Sequence, residues 1–423
     1  MSESTAAQRP ARIESLTGVR FIAAFMVFLF HVSLLKLFAA YGTDEGPYDK
    51  LVHNAGFLGV TFFFVLSGFV LTWSARDSDT AARFLRRRVV KIFPNHIVTF
   101  ALAMVLYASL FWPDSSAVLN FFLVQAWSPK EVVFFSINIP AWSLSCELFF
   151  YLLFPLLLWA VRKIRPEHLW WYAGGVAALI LVVPLIARAL PADPMFSPAN
   201  VGTPYGGHSA TQFWFAGIFP PVRLLDFVLG ILAARIVLAG RWIGLRTVPA
   251  VGILVASYAA SLAEPWLYQV NAANVLPLAL LIAAIATADV QGRRSALRSP
   301  VMRRLGEWSF AFYLLHWSLG LWIKLRTSAG RQHDLSVPAG LGVIAGLLAV
   351  TLVASWLLFT LVEDPVMRRW SKPRSARRPH GGGAADRREL AGTGLAGTEP
   401  RPDPRPDPRP DPGVAGVPDA AGP

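Results

Sequence analysis

Ten stretches of the chain are apolar for long enough to cross a bilayer. They run roughly over 19–40, 55–75, 91–111, 142–161, 169–189, 218–238, 243–262, 271–288, 305–325 and 340–362. Each holds about 16–23 mostly apolar residues, near the length a helix needs to span hydrocarbon. The seventh and eighth carry the weakest signal. The run Val118–Trp127 is too short to span and reads as an interfacial or re-entrant piece. The pattern predicts an all-α integral membrane protein with about ten transmembrane helices, a multi-pass protein of the cell membrane.

The polar positions orient these spans. The even-to-odd connections carry seventeen Lys and Arg, among them Arg76, Arg83, Arg86, Arg87, Arg88 and Lys91, against eight on the opposite side. The positive-inside rule places the richer side in the cytoplasm. An even span count then puts both termini there. Residues 1–12 form a cytoplasmic N-terminal segment and 13–370 the membrane domain. From Ser371 the composition shifts to Pro, Gly, Arg and Asp, and Arg401–Pro412 is three copies of Arg-Pro-Asp-Pro. Pro blocks helix and sheet and nothing apolar is left to bury, so 371–423 reads as a disordered spacer.

Composition closes off other classes. Of 423 residues 54% are hydrophobic and 15% charged, with 29 Phe and 15 Trp. A soluble domain is about one quarter charged, so an ordinary globule, a coiled coil and a disordered chain are excluded. The net charge of +13 fits loops facing anionic lipid, with no nucleic-acid partner. The one cysteine, Cys146, excludes an internal disulfide and a Cys-based metal site. No P-loop and no His-Glu-x-x-His motif occurs, so no ATP site of that type and no metal is expected.

Ionisable groups within hydrocarbon are costly and mark function. Arg20 stands at the cytoplasmic start of the first span and His31 eleven residues later. Eleven residues are three turns plus about 20°, so both project from one face, with His31 about 16 Å deeper. One reading is a snorkelling Arg and a structural interhelical histidine. The other is a cation at the mouth and a buried general base at the midplane. Arg86-Arg87-Arg88 with Lys91, before Pro94, either anchors a cytoplasmic loop or binds an anion through guanidinium forks. Glu147 and Tyr151 share a face of the fourth span, and His31 is a candidate partner for this acid. Cys146 reads as a packing residue. Arg223 and Asp226, three residues apart, either pair or meet substrate. His316 is also deep and reads as an interhelical hydrogen bonder. Glu363-Asp364-Pro365 ends the last span, where acids oppose the helix dipole and call for an arginine.

Leu16-Thr17-Gly18-Val19-Arg20 with His31, Phe62 to Phe69, Arg86 to Pro94, Trp142-Ser143-Leu144 to Glu147, Arg223 to Phe227, Leu305-Gly306 to His316 and Glu363 to Pro365 stand in an order that resembles the acyltransferase-3 family of integral membrane acyltransferases. The resemblance covers about residues 13 to 370. It implies about ten helices and transfer of an acyl group, commonly acetyl, from cytoplasmic acyl-CoA to a hydroxyl of a surface carbohydrate or a secreted metabolite such as a macrolide. The family's essential arginine and histidine fall on Arg20 and His31, and its basic motif on Arg86 to Pro94, with Lys91 where many members have Arg. The expected site is therefore His31, Arg20 and Glu147 for catalysis, and Arg20, Arg86, Arg87 and Lys91 for the acyl-CoA co-substrate. His31 takes the acceptor proton, or carries the acyl group covalently. No oxyanion donor is evident. The fused esterase-like domain of some members is absent. A secondary transporter of a small solute, which also uses midplane charges, is the competing class, but no internal repeat supports it.

Overall fold

The computed structural model describes residues 13–37, 46–76, 79–107, 115–197, 203, 205–327 and 335–370. These all lie in the first of two units into which the chain divides, 1–373 and 374–423. The predicted N-terminal segment and tail lie outside the described residues.

A helix stands at each of the ten predicted places. They are α1 (Glu14–Leu34), α2 (Ala55–Trp73), α3 (Ala81–Tyr107), α4 (Trp142–Arg162), α5 (Leu169–Arg188), α6 (Pro220–Leu238), α7 (Thr247–Ser261), α8 (Val275–Val290), α9 (Pro300–Thr327) and α10 (Val337–Leu358). Among the described residues seven helical spans are long and apolar enough to cross a membrane, fewer than the ten predicted. The other three fall short for separate reasons. Helix α6 carries Arg223, Asp226 and Arg235. Helix α9 carries charges at both ends and His316 within. Helix α7 has 15 residues, about 22 Å, against a hydrocarbon core of about 30 Å.

Helix α3 begins ten residues before the predicted third span. Arg and Lys are good helix formers, so the basic stretch winds into the same helix, and Pro94 sits inside it. The Val118–Trp127 run folds as a short helix, Ser115–Phe121, and a 3-10 turn, Gln125–Trp127. Neither is long enough to span.

Helix α2 is the centre of the bundle. In the span that contains it 83% of the apolar stretch is buried, against 22% for the span that contains α10, which lies at the rim. Helix α6 crosses α2 most closely, and α1 packs between α2 and α9. Lipid tails are as apolar as Leu, so close backbone approach is what holds such a crossing. A Cβ on Gly68 would meet the Phe227 carbonyl, and one on Gly230 the Val65 carbonyl. Each helix thus supplies a glycine to the other's backbone.

Candidate functional site

Helix α1 runs unbroken from Glu14 to Leu34, so Arg20 and His31 share a face about 16 Å apart along the axis. Arg20 lines a cavity of about 140 Å³ between α1, α2, α3, α4 and α9. Arg88, Lys91, Glu147, Tyr151, Ser143 and Tyr313 line it too, with an apolar wall from Val60, Phe63, Phe64 and Phe310. Glu147 accepts a hydrogen bond from the Tyr151 hydroxyl at 3.0 Å, and Tyr151 meets Ser67 at 3.4 Å. Arg20, Arg88 and Lys91 all act on Glu147 electrostatically.

The three cations differ in their partners. Lys91 is ion-paired with Glu363, which the Asn95 amide also reaches. Glu363 is 2% exposed and stands in a π-helical turn, Phe359–Glu363, that continues α10. Its partner is a lysine, not the arginine expected, while Asp364 pairs with Arg368 at 2.8 Å. Neither Arg20 nor Arg88 has a carboxylate at ion-pair distance among the described residues. Arg88 lies near the Phe84 and Tyr151 rings, 5.7 and 6.0 Å from their centroids.

A wider cleft of about 820 Å³ adjoins this cavity, sharing Leu71 and Arg88 with it. Its rim is strongly basic, with Arg76, Arg83, Arg87, Arg162 and Lys163 around the single acid Asp79. Arg87 grips Asp79 with two nitrogens, one at 2.9 Å. That bond holds the Asp79 carboxyl below its ordinary range. Lys163 lies 3.4 Å over the Trp159 ring.

The predicted site residues are thus divided. Arg20, Glu147 and Lys91 meet in the inner cavity, and Arg87 lines the cleft. Arg86 is exposed and lines neither. Arg88 joins the two spaces. Its signal is the helical face Arg88, Lys91 and Asn95, at i, i+3 and i+7, legible once α3 is known to start at Ala81.

His31 stands outside the cavity lining. Its partner is not Glu147. Its Nδ1 lies 2.9 Å from Nε2 of His316 on α9. The Nδ1 of His316 lies 3.2 Å from the Phe312 carbonyl one turn earlier. Phe63 and Tyr313 of the cavity lining have rings 5.7 Å apart, and the His316 ring lies 6.0 Å from that of Tyr313. Tyr313 is itself fixed by Ser143 Oγ at 2.9 Å and the Pro140 carbonyl at 3.1 Å. On its other sides His31 faces Phe30 and Trp317, at 5.3 and 5.2 Å between ring centroids. Phe30 opens an aromatic layer of Phe57, Tyr205, Phe213 and Phe196. Phe196, Tyr205 and Phe213 of this layer come from the connection between α5 and α6. Arg223 and Asp226 pair with each other at 3.0 Å, both buried. Thr61 on α2 receives the other bond, at 2.8 Å, which makes this a tie between α6 and α2. Cys146 is buried and reaches the Ile218 carbonyl at 3.1 Å, a packing role.

The acyltransferase-3 family profile, an acyltransferase domain, matches residues 13–360. The chain is 42% identical over 371 residues to Acyltransferase MdmB of Streptomyces mycarofaciens, covering 85% of this chain and 93% of that protein. It is 27% identical over 337 residues to the exopolysaccharide production protein ExoZ of Rhizobium meliloti, covering 76% and 93%. Against the peptidoglycan O-acetyltransferase OatA of Listeria monocytogenes it is 24% identical over 379 residues, covering 84% of this chain and 56% of that one. No solved structure matches. These matches set the transporter reading aside. The chain belongs to the acyltransferase-3 family and is a multi-pass membrane O-acyltransferase.

Proposed function

We propose that the protein moves an acyl group, acetyl first among candidates, from acyl-CoA to a hydroxyl of a carbohydrate or a secreted metabolite. One observation carries the donor side: a basic cleft adjoins the cavity of Arg20 and Glu147, with Arg88 in the lining of both. Coenzyme A carries phosphates at one end and a thioester on a long flexible arm at the other. The cleft offers guanidinium forks suited to phosphate, and the inner cavity offers an apolar wall to the arm. In this reading α6, α7 and α9 also cross the bilayer, both termini are cytoplasmic, and the cleft faces the cytoplasm where acyl-CoA resides.

The chemistry then runs as follows. The acceptor oxygen attacks the thioester carbonyl carbon while His31 takes the hydroxyl proton. The C–S bond breaks, the new ester leaves, and the thiolate takes the proton back from His31. Tyr313 lines the donor cavity and lies beside His316, the partner of His31, so the acyl carbon passes the Phe63–Tyr313 pair to reach His31. Glu147 and Arg20 orient the arm at the entrance.

On the acceptor side, family membership and the relatives' names support a hydroxyl of a surface glycan or a secreted metabolite. The test is comparative mass spectrometry of cell envelope and culture extract, with and without the gene. One of the two loses an acyl-sized mass on deletion. No acyl loss in either fraction, with the gene expressed, rejects the reading.

Arg20 tests the donor half. Arg20→Ala removes a charge-assisted bond of about 1.5–3 kcal/mol, so the KM for acyl-CoA rises roughly 10- to 100-fold. Arg20→Lys, a point charge without the fork, recovers part of that. An unchanged KM in both variants places the donor elsewhere.

A further inference from the structure

We propose that His316 is a positioning residue that fixes His31 as the tautomer with its proton on Nδ1 and its lone pair on Nε2. This rests on the reading of His31 as general base.

The Phe312 carbonyl only accepts, so His316 Nδ1, at 3.2 Å, carries a proton. A neutral His316 then has a bare Nε2. That nitrogen is 2.9 Å from His31 Nδ1 and can only accept, so His31 Nδ1 carries the proton, with the Val27 backbone as a further acceptor for the His31 ring. A neutral His31 is left with Nε2 as its only basic atom. The reverse arrangement would set the His316 Nδ1 lone pair against a carbonyl oxygen. A doubly protonated His316 would bury an unpaired charge beside Phe28 and Phe312, a costly placement.

The pair is also held rigidly. His31 sits on α1 and His316 on α9, two helices packed along each other. His316 is 2% exposed and lines neither cavity, so it acts through His31 and does not meet substrate. When His31 Nε2 takes the acceptor proton, Nδ1–H becomes part of an imidazolium. Its bond to His316 then strengthens as a charge-assisted one. The arrangement parallels the third member of a hydrolase triad, with a neutral ring in place of a carboxylate.

Two variants and one spectrum test this in full-length protein in lipid nanodiscs. His316→Phe keeps ring volume and removes the acceptor. His316→Gln places an amide oxygen near the position of Nε2. The expected kcat falls roughly 100-fold in His316→Phe, within the range that general acid–base catalysis supplies, with the KM for acyl-CoA changed less than about twofold. His316→Gln recovers at least about tenfold of that kcat. Wild-type kcat in His316→Phe, equal losses in both variants, or a loss confined to KM overturns the proposal. Independently of activity, 15N NMR of labelled histidines, with His31 assigned from the signals lost in His31→Ala, reads the tautomer directly. Protonated Nδ1 and bare Nε2 on His31 are expected, and the opposite pattern overturns the proposal. Wild-type turnover in His31→Ala sinks the general-base reading instead, and the spectrum still decides the tautomer.

Discussion

His31→Ala loses acyl transfer by about 1000-fold or more, while the protein still inserts and is recovered at wild-type level. The magnitude follows from the role, since a positioned general base contributes about 10²–10⁴-fold. Among the described residues nothing nearby can replace it. His316, the nearest imidazole, has its Nδ1 on the Phe312 carbonyl and its Nε2 on His31. The other neighbouring rings, Phe30 and Trp317, carry no base. The alanine variant also strands the His316 Nε2 acceptor, at a cost of about 1–3 kcal/mol for an unsatisfied buried group. His31→Asn separates the two effects, because its amide nitrogen can still donate to His316 where Nδ1 did. It is expected to be as inactive as His31→Ala and closer to wild type in thermal unfolding. Measured turnover above about a tenth of wild type in either variant removes His31 from the chemistry.

Much of this arrangement could be read from the chain. The Arg20–His31 spacing on one helix needs only the 3.6-residue period, and α1 spans both residues without a break. The ten helix positions follow from runs of apolar residues. The start of α3 does not, because counting apolar residues cannot see a helix that continues through Arg83–Arg88 into the interface. Without that start Arg88 could be read only as one of a basic cluster, not as the member that lines both the cleft and the cavity. The partner of His31 was out of reach for another reason. Glu147 and His316 both stand at depth on later helices, and periodicity says nothing about which helix lies beside α1. Packing decides it: α1 lies along α9, so His31 meets His316, while Glu147 turns to Tyr151. Glu363 shows the same limit. Its need for a cation was legible from the helix end, but the choice of Lys91 depends on α3 passing beneath the end of α10.

That last pair carries the second large effect, on stability. Lys91→Met removes the only cation that Glu363 pairs with among the described residues, leaving Asn95 as its remaining partner. Glu363 is 2% exposed in its side chain and Lys91 29%. Breaking a buried pair from one side costs about 3–5 kcal/mol, and the partial exposure of Lys91 puts this case near the lower end. Replacing both members is a different matter, because no charge is then stranded. The double variant Lys91→Met, Glu363→Gln keeps an amide for Asn95 and is expected to unfold within about 1 kcal/mol of wild type. Thermal unfolding of the two single variants and the double, in one detergent, gives the coupling energy. A double variant whose loss of stability equals the sum of the losses in the two single variants would show no coupling and would reduce the ion pair to a bystander. Donor KM measured on the same samples separates the two roles of Lys91. The stabilised double variant lacks one of the three cavity cations, so it binds acyl-CoA more weakly although its fold is intact. Recovery of stability without recovery of donor affinity is the result that assigns Lys91 to both the α3–α10 tie and the donor cavity.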